Sequence, residues 1–337
     1  MNKPRGYKEF CRNVLRQKNV VGAGLGHKEI KARSTDEVSL VVLVSKKEPL
    51  NRLKRQDVVP LKFGNFLTDV QEVGVLRFLG LPHEERQKSR RPAPPGISIG
   101  HYRSTAGTFG ALVRDKSTGQ VLILSNNHVM ANTSDGRDGR AGRGDPILQP
   151  GPFDGGKEAD MLARLERFAP LLREESYPAC TLSSWLGRLV NLKFLQERRG
   201  YRLQLVKLDE KGNLLDAALA RPLDTAQVKD EVLGLGRVKG MAEARIEERV
   251  FKSGRTTGVT SGRVKVLDAS VWVQISANSR VLMQDQLITE VMGQPGDSGS
   301  LVLNEKGGAV GLLMAGSEVV TIMNKASHIA ALLNIQF

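Results

Sequence analysis

Cysteine is nearly missing from this chain: there are two, Cys11 and Cys180, in 337 residues. They lie far apart, which excludes a disulfide framework and a cysteine-built zinc site and points to a reducing compartment. Histidine is scarce at five, and no pair has the HxxxH spacing of a helical metal site. No metal and no cofactor is therefore expected. Long apolar runs are absent as well. Nothing approaches the roughly 18 residues of a membrane span. The N-terminal stretch lacks the apolar core of a secretion signal. A soluble, cytoplasmic protein is expected. Aromatics reach only 5%, and the basic residues are spread along the chain.

That spread qualifies the charge. Lys and Arg total 50 against 36 Asp and Glu, a formal net charge of +14. Nucleic acid, an anionic membrane or an acidic protein would all be admitted by it. Without clustering it reads as a solvated basic surface, and nucleic acid is disfavoured. Hydrophobic residues are 40%, enough for real cores. Thirty-five glycines and 14 prolines imply many turns and a β-rich chain. The length suits one large domain and one small one.

Residues 1–82 read as a small α/β domain. Tyr7, Phe10, Cys11, Val14 and Leu15 fall at helical spacing. Val20 to Gly26 carries a GxGxG run that lacks the GxGxxG spacing of a dinucleotide loop, so glycines within a strand are expected. Val38–Ser45 is strongly β-branched and reads as a strand. A short helix is expected at 50–56, with strands at 58–61 and 71–76. Residues 83–96, HEERQKSRRPAPPG, read as an exposed, solvated linker.

From Ile97 the chain turns to short strands between turns. Strands are expected at 107–113 and 121–124, the second running into Ser125-Asn126-Asn127-His128-Val129. Residues 132–160 are glycine- and aspartate-rich loops without DxDxDG calcium spacing. Met161, Leu162, Leu165 and Phe168 suggest helical turns, and Ser183–Leu192 an N-capped helix. A helical insertion at about 161–199 follows from these. Tyr201–Leu208 alternates as a strand does. Leu214–Ala220 then places one carboxylate, Asp216, in an apolar run, where it needs a partner. Asp209 and Asp224 are rival acids in polar surroundings. Phe251–Val264 reads as two strands joined at glycines, and Ser327–Leu333 as a helix.

Gly293-Gln294-Pro295-Gly296-Asp297-Ser298-Gly299-Ser300 is the stretch with the clearest chemistry. A glycine-rich turn feeding an apolar strand presents one side chain and turns backbone N–H groups toward the same point. A serine there can attack a carbonyl if a base takes its proton and N–H groups hold the oxyanion. A plain turn between strands is the alternative. His128, just past a buried strand, is the candidate base, and Asp216 the candidate orienting acid.

The ordered segments LSNNHV, LLDAALA and GQPGDSGSLV make residues 97–337 resemble the trypsin-like serine peptidases of the chymotrypsin fold. ILQPGPFDGG at 147–156 and KSGRTTGVTSGRV at 252–264 are similar to an intracellular bacterial and plant branch that includes the plant narrow-leaf proteins. VVGAGLGHKE and TDVQEVG near the N-terminus share that likeness. The resemblance implies a mainly β fold: a chymotrypsin-like double antiparallel β-barrel with the helical insertion, preceded by the small α/β domain. It implies His128, Asp216 and Ser298 as the catalytic set, with Gly296 and Ser298 as the oxyanion hole. It implies a substrate pocket at Met292, Gly293, Met314, Ala315 and Gly316. Met292 stands where an aspartate would select Lys or Arg, so that preference is not expected; the two methionines favour an apolar side chain. Asp297 has two readings, a buried anchor of the turn or a simple turn residue.

The function implied is an intracellular serine endopeptidase that performs limited proteolysis through an acyl-enzyme, with a protein as substrate. A catalytically idle trypsin-fold scaffold is the alternative. The N-terminal domain is the candidate place for homo-oligomer contacts or a regulatory partner. The insertion either covers the cleft or packs outside it.

Overall fold

A computed structural model describes residues 5–30, 33–76, 84–175, 212–276 and 279–337. In chain order the elements are α1 (Tyr7–Val14), β1 (Val20–Ile30), β2 (Arg33–Val44), β3 (Lys62–Phe63), β4 (Phe66–Glu72), β5 (Ser98–His101), β6 (Gly107–Thr108), β7 (Ala111–Asp115) and β8 (Val121–Ser125). There follow α2 (Asn127–Met130), β9 (Pro146–Leu148), β10 (Met161–Phe168), β11 (Glu174–Glu175), β12 (Ala218–Pro222), β13 (Arg249–Gly254), β14 (Gly258–Ser276) and β15 (Ser279–Glu290). The last are β16 (Leu301–Asn304), β17 (Ala309–Gly316), β18 (Val320–Lys325), α3 (Ala326–Leu332) and β19 (Ile335–Gln336).

The fold is mainly β, and its two sheets curl into two barrels of the chymotrypsin type. In the first, β6 and β7 form one bent strand. Its early half pairs with β5 through Ser98 and Thr108, and its later half with β8 through Ala111 and Leu124. The circuit continues through β12, β10 and β9 back to β5. In the second, β14 pairs with both β13 and β15, and β18, β17 and β16 close the ring onto β13. Closure leaves no free edge inside either ring. Phe109, Ile123, Leu165 and Ala220 fill the first barrel; Val250, Val264, Leu313 and Met323 fill the second. A third cluster, with Leu122, Leu219, Leu301, Leu312 and Ile329, joins strands of both barrels to α3.

The N-terminal strands continue the second barrel's sheet. β1 lies antiparallel to β14, β2 to β1, and β4 runs parallel to β2. Val41, Leu43, Val73 and Leu76 share one apolar cluster with Val271, Ile288, Met314 and Ala315. The GxGxG run is the seam that allows this approach. A Cβ at Gly22 would stand 2.7 Å from Val271 Cγ1, and one at Gly26 2.8 Å from the Lys265 carbonyl; at Gly24 it would collide with Val266.

Several expectations are corrected. Met161–Phe168 is a strand, β10, because β12 and β9 both offer it paired edges and bury Leu162, Ala163 and Leu165. Spacing alone suggested a helix there; pairing partners override it. Of the rest of the expected insertion, 176–199 lies outside the described residues, as does Tyr201–Leu208. No strand forms at 58–61, where β3 starts only at Lys62; the strand expected at 71–76 lies earlier, at Phe66–Glu72, and the helix expected at 50–56 is two short 3₁₀ turns, Leu50–Arg52 and Arg55–Asp57. Residues 84–96 are exposed in part only: Glu85 and 88–92 face solvent, while 93–96 are buried. Arg86 donates to Gly96 O at 3.0 Å and to Ser253 Oγ at 2.6 Å, and Ala93 is buried and exchanges backbone bonds with Gln227 and Lys229.

A polar cluster ties α1, the β14–β15 hairpin and α3 together. Lys325 Nζ pairs with Asp268 and lies 2.9 Å from Asp285; His328 Nε2 is 3.2 Å from Asp285. Tyr7 Oη donates to Asp268 O at 2.6 Å. The His328 hydrogen bond, then the hydrogen bond and charge of Lys325, hold the Asp285 carboxyl well below the usual carboxylate range. A carboxyl lowered on folding stabilises above its unfolded value, about pH 4, and loses that contribution as pH falls below it.

Two outcomes are expected. Gly24→Val should destabilise by about 1–3 kcal/mol through overpacking, read as a lower urea midpoint. Asp285→Asn should lower Tm at pH 7, with the gap to wild type narrowing below about pH 4. A gap independent of pH would disprove the second.

Candidate active site

The register of the first barrel brings a histidine and a carboxylate to one rim. β12 pairs antiparallel with β8, Ala218 opposite Ser125. Residues just before β12 therefore face those just after β8. The single turn α2 lifts His128 there, and Asp216 meets it. His128 Nδ1 is hydrogen-bonded to Asp216 Oδ2, and the His128 backbone N–H donates to Oδ1 at 3.1 Å. Asp216 is fully buried; the His128 side chain keeps 13% exposure. A carboxylate only accepts, so Nδ1 carries the hydrogen and Nε2 of the neutral ring is left with a lone pair.

Two buried asparagines grip the Asp216 peptide. Asn126 Nδ2 donates to its carbonyl at 2.6 Å, and its N–H donates to Asn324 Oδ1 at 3.0 Å. The first comes from one barrel and the second from the other. Of the rival acids, Asp224 caps the 3₁₀ turn 225–227, accepting from Ala226 N at 2.9 Å. Asp209 lies outside the described residues.

Ser298 stands in a turn built around the Asp297 carboxylate. Oδ1 accepts from Thr256 N at 2.9 Å and Thr257 N at 3.1 Å. Oδ2 accepts from Gln294 N at 2.9 Å and Thr257 Oγ1 at 2.5 Å. Lys252 Nζ lies 3.1 Å from Oδ2, with both side chains fully buried. Asp297 is thus a buried anchor. Burial pulls the Lys252 ammonium below its usual range, and the Asp297 charge pushes it partly back. Gly296 and Gly299 have φ of 95° and 92°, the left-handed region that glycine tolerates. A Cβ on Gly296 would strike the Arg255 guanidinium.

Thr108, in the first barrel, fastens the turn on both sides of the serine. Its N–H donates to Ser298 O at 2.7 Å and its hydroxyl to Gly296 O at 2.8 Å. The Ser298 hydroxyl donates to Met314 O at 3.1 Å. Among the described residues no acceptor meets the backbone N–H of Gly296 or Ser298. Two such donors at one turn are suited to an anion.

The segments ILQPGPFDGG and KSGRTTGVTSGRV meet beside this turn. Arg255 pairs with Asp154, their side chains 2% and 3% exposed, and Asp154 also accepts from Ser98. Met292 and Gly293 follow β15, and Met314, Ala315 and Gly316 end β17. All five are buried. The Met292 side chain packs with Val250 and Leu313, and Met314 with Val320 and Ile322. Both are packing groups, which removes the ground for inferring an apolar side-chain preference from them.

Sequence reasoning missed Lys252, Asn126, Asn324 and Thr108. Two of them left a signal. Lys252 and Asn324 are polar residues within strands whose neighbours are buried, where an unpaired polar group is costly.

No protein-family model matches the chain, and no curated protein matches it. Among solved structures it is similar to a Nocardiopsis protease and to Thermobifida fusca protease A. Each is 16% identical with a TM-score of 0.44, over 72% of this chain and 98% of the other. A Cellulomonas bogoriensis chymotrypsin is similar at 15% identity and a TM-score of 0.43, over 73% of this chain and 97% of the other.

Lys252→Met should cost about 3–5 kcal/mol, because the buried Asp297 carboxylate keeps its hydrogen bonds but loses its ion-pair partner. Lys252→Arg should retain part of that. Urea unfolding checks both, and an unchanged midpoint for the Met variant would mark the pair as energetically silent.

Proposed function

We propose that this chain is a serine endopeptidase acting through His128, Asp216 and Ser298. The observation that carries the reading is the Nδ1 bond of His128 to a fully buried Asp216, the arrangement by which a carboxylate fixes an imidazole for proton transfer through its other nitrogen.

The chemistry runs in two halves. The Ser298 hydroxyl turns from Met314 O toward His128 Nε2. Its oxygen attacks the substrate carbonyl carbon as its proton passes to Nε2. The oxyanion is held by the N–H groups of Gly296 and Ser298, each worth about 2.7–4 kcal/mol in comparable sites. Collapse returns the carbonyl, breaks the C–N bond and moves the proton from Nε2 to the leaving amine. Water then repeats the sequence on the acyl-enzyme and regenerates the hydroxyl. Asp216 holds the tautomer throughout and stabilises the imidazolium. Lys252 supplies the positive partner of Asp297 from within the chain, so the turn needs no newly cut N-terminus to form.

The motif likeness to the intracellular bacterial and plant branch supports a cytoplasmic enzyme of limited proteolysis with protein substrates. One observation favours the idle-scaffold alternative: the resting Ser298 hydroxyl is bonded to Met314 O. A fluorophosphonate probe separates the two. Ser298 should be labelled, and Ser298→Ala should abolish labelling and reduce peptide cleavage by up to about a millionfold. Folded wild-type protein that neither labels nor cleaves would sink the peptidase reading.

A further inference from the structure

Asn324 is a fully buried amide in the apolar strand β18, and each of its polar atoms is engaged. Oδ1 accepts the Asp216 N–H at 3.0 Å. Nδ2 donates to Gln286 Oε1 at 2.6 Å and approaches Met314 Sδ at 3.1 Å. Gln286 is also fully buried, and its Nε2 donates to Leu214 O at 3.0 Å. The pair therefore holds the chain at 214 and at 216.

Among the described residues the Asp216 carboxylate has one partner, His128, which meets both oxygens. Among the described residues no other side chain donates to it. Its aim is accordingly set through its own backbone. Asn126 fixes the carbonyl side from the first barrel, and Asn324 fixes the N–H side from the second. Asn324 also touches Met314, whose carbonyl holds the Ser298 hydroxyl. One side chain thus contacts both the acid and the residue that parks the nucleophile.

We propose that Asn324 is a positioning residue for the reaction: it aims Asp216 at His128 Nδ1 and sets the two barrels in register about the triad. The inference rests on the peptidase reading. Without the amide, the Asp216 N–H is buried and unpaired, the segment shifts, and the carboxylate supports the imidazolium less well. Weaker support lowers the basicity of His128, so the acid limb of the rate profile moves to lower pH while the plateau falls.

The test compares full-length wild type with Asn324→Val, which removes the acceptor at similar volume, and Asn324→Thr, which restores a hydroxyl acceptor. Folding is checked by circular dichroism and thermal unfolding. Peptide cleavage is followed against pH. The Val variant should lose about 100-fold in kcat with KM nearly unchanged, the scale of a misplaced catalytic group, and its acid limb should move to lower pH. The Thr variant should recover at least about tenfold. If Val and Thr behave alike, or the limb does not move, the proposal is overturned. Should the Val variant not fold, Gln286→Leu takes its place. It frees the Asn324 amide and should shift kcat and the limb in the same direction; a folded Gln286→Leu protein with wild-type values overturns the proposal. Wild type that neither cleaves peptide nor reacts with fluorophosphonate overturns the peptidase reading itself, an outcome distinct from an active wild type whose variants match it.

Discussion

A carboxylate buried without compensation is among the costliest groups a fold can contain, and Asp297 is fully buried. The turn that carries Ser298 takes its form from meeting that demand. Thr256 and Thr257 present two N–H groups, Gln294 a third, Thr257 a hydroxyl and Lys252 a charge. Once those donors surround the carboxylate, little backbone freedom is left between Gln294 and Ser300. Among the described residues the N–H groups of Gly296 and Ser298 then meet no acceptor, because the geometry has committed the groups around them. The glycines follow from the same constraint: at Gly296 any Cβ would strike Arg255, and Arg255 is held in place by Asp154.

The second dependency is between barrels. The Ser298 turn belongs to one and the His128–Asp216 pair to the other, so the proposed triad requires the two to be in register. Apolar contact among Leu122, Leu219, Leu301 and Leu312 presses them together but is indifferent to small slips. Directional bonds supply the precision. Thr108 reaches from the first barrel to both carbonyls flanking Asp297 and Ser298, and Asn324 reaches from the second to the Asp216 peptide. Hydrogen bonds hold over a range of about half an ångström and are directional, so they fix relative position as apolar contact cannot.

How much of this was legible in the sequence follows from range. The β-rich character, the strand leading to His128, the lone acid at Asp216 and the glycine turn at Ser298 are local patterns, visible in a few consecutive residues. What could not be read depends on partners far away in the chain. Met161, Leu162, Leu165 and Phe168 fit a helical stripe, and only the edges offered by β9 and β12 make them a strand. Residues 84–96 look like a linker by composition, and only the carbonyl of Gly96 and the hydroxyl of Ser253 reveal Arg86 as a tether. Lys252 is 45 positions from Asp297, and Asn324 108 from Asp216. A single sequence marks such residues as out of place without saying what they answer.

The sheet that runs unbroken from β3 through β14 to β11 has a mechanical meaning. Hydrogen bonds between β1 and β14, together with the cluster uniting Val41, Leu43 and Met314, make the N-terminal strands and the second barrel one cooperative unit. Severing the covalent chain between β4 and β5 would not set the two pieces free. They would stay joined as a non-covalent pair, and melt together, because the seam between them is interior sheet.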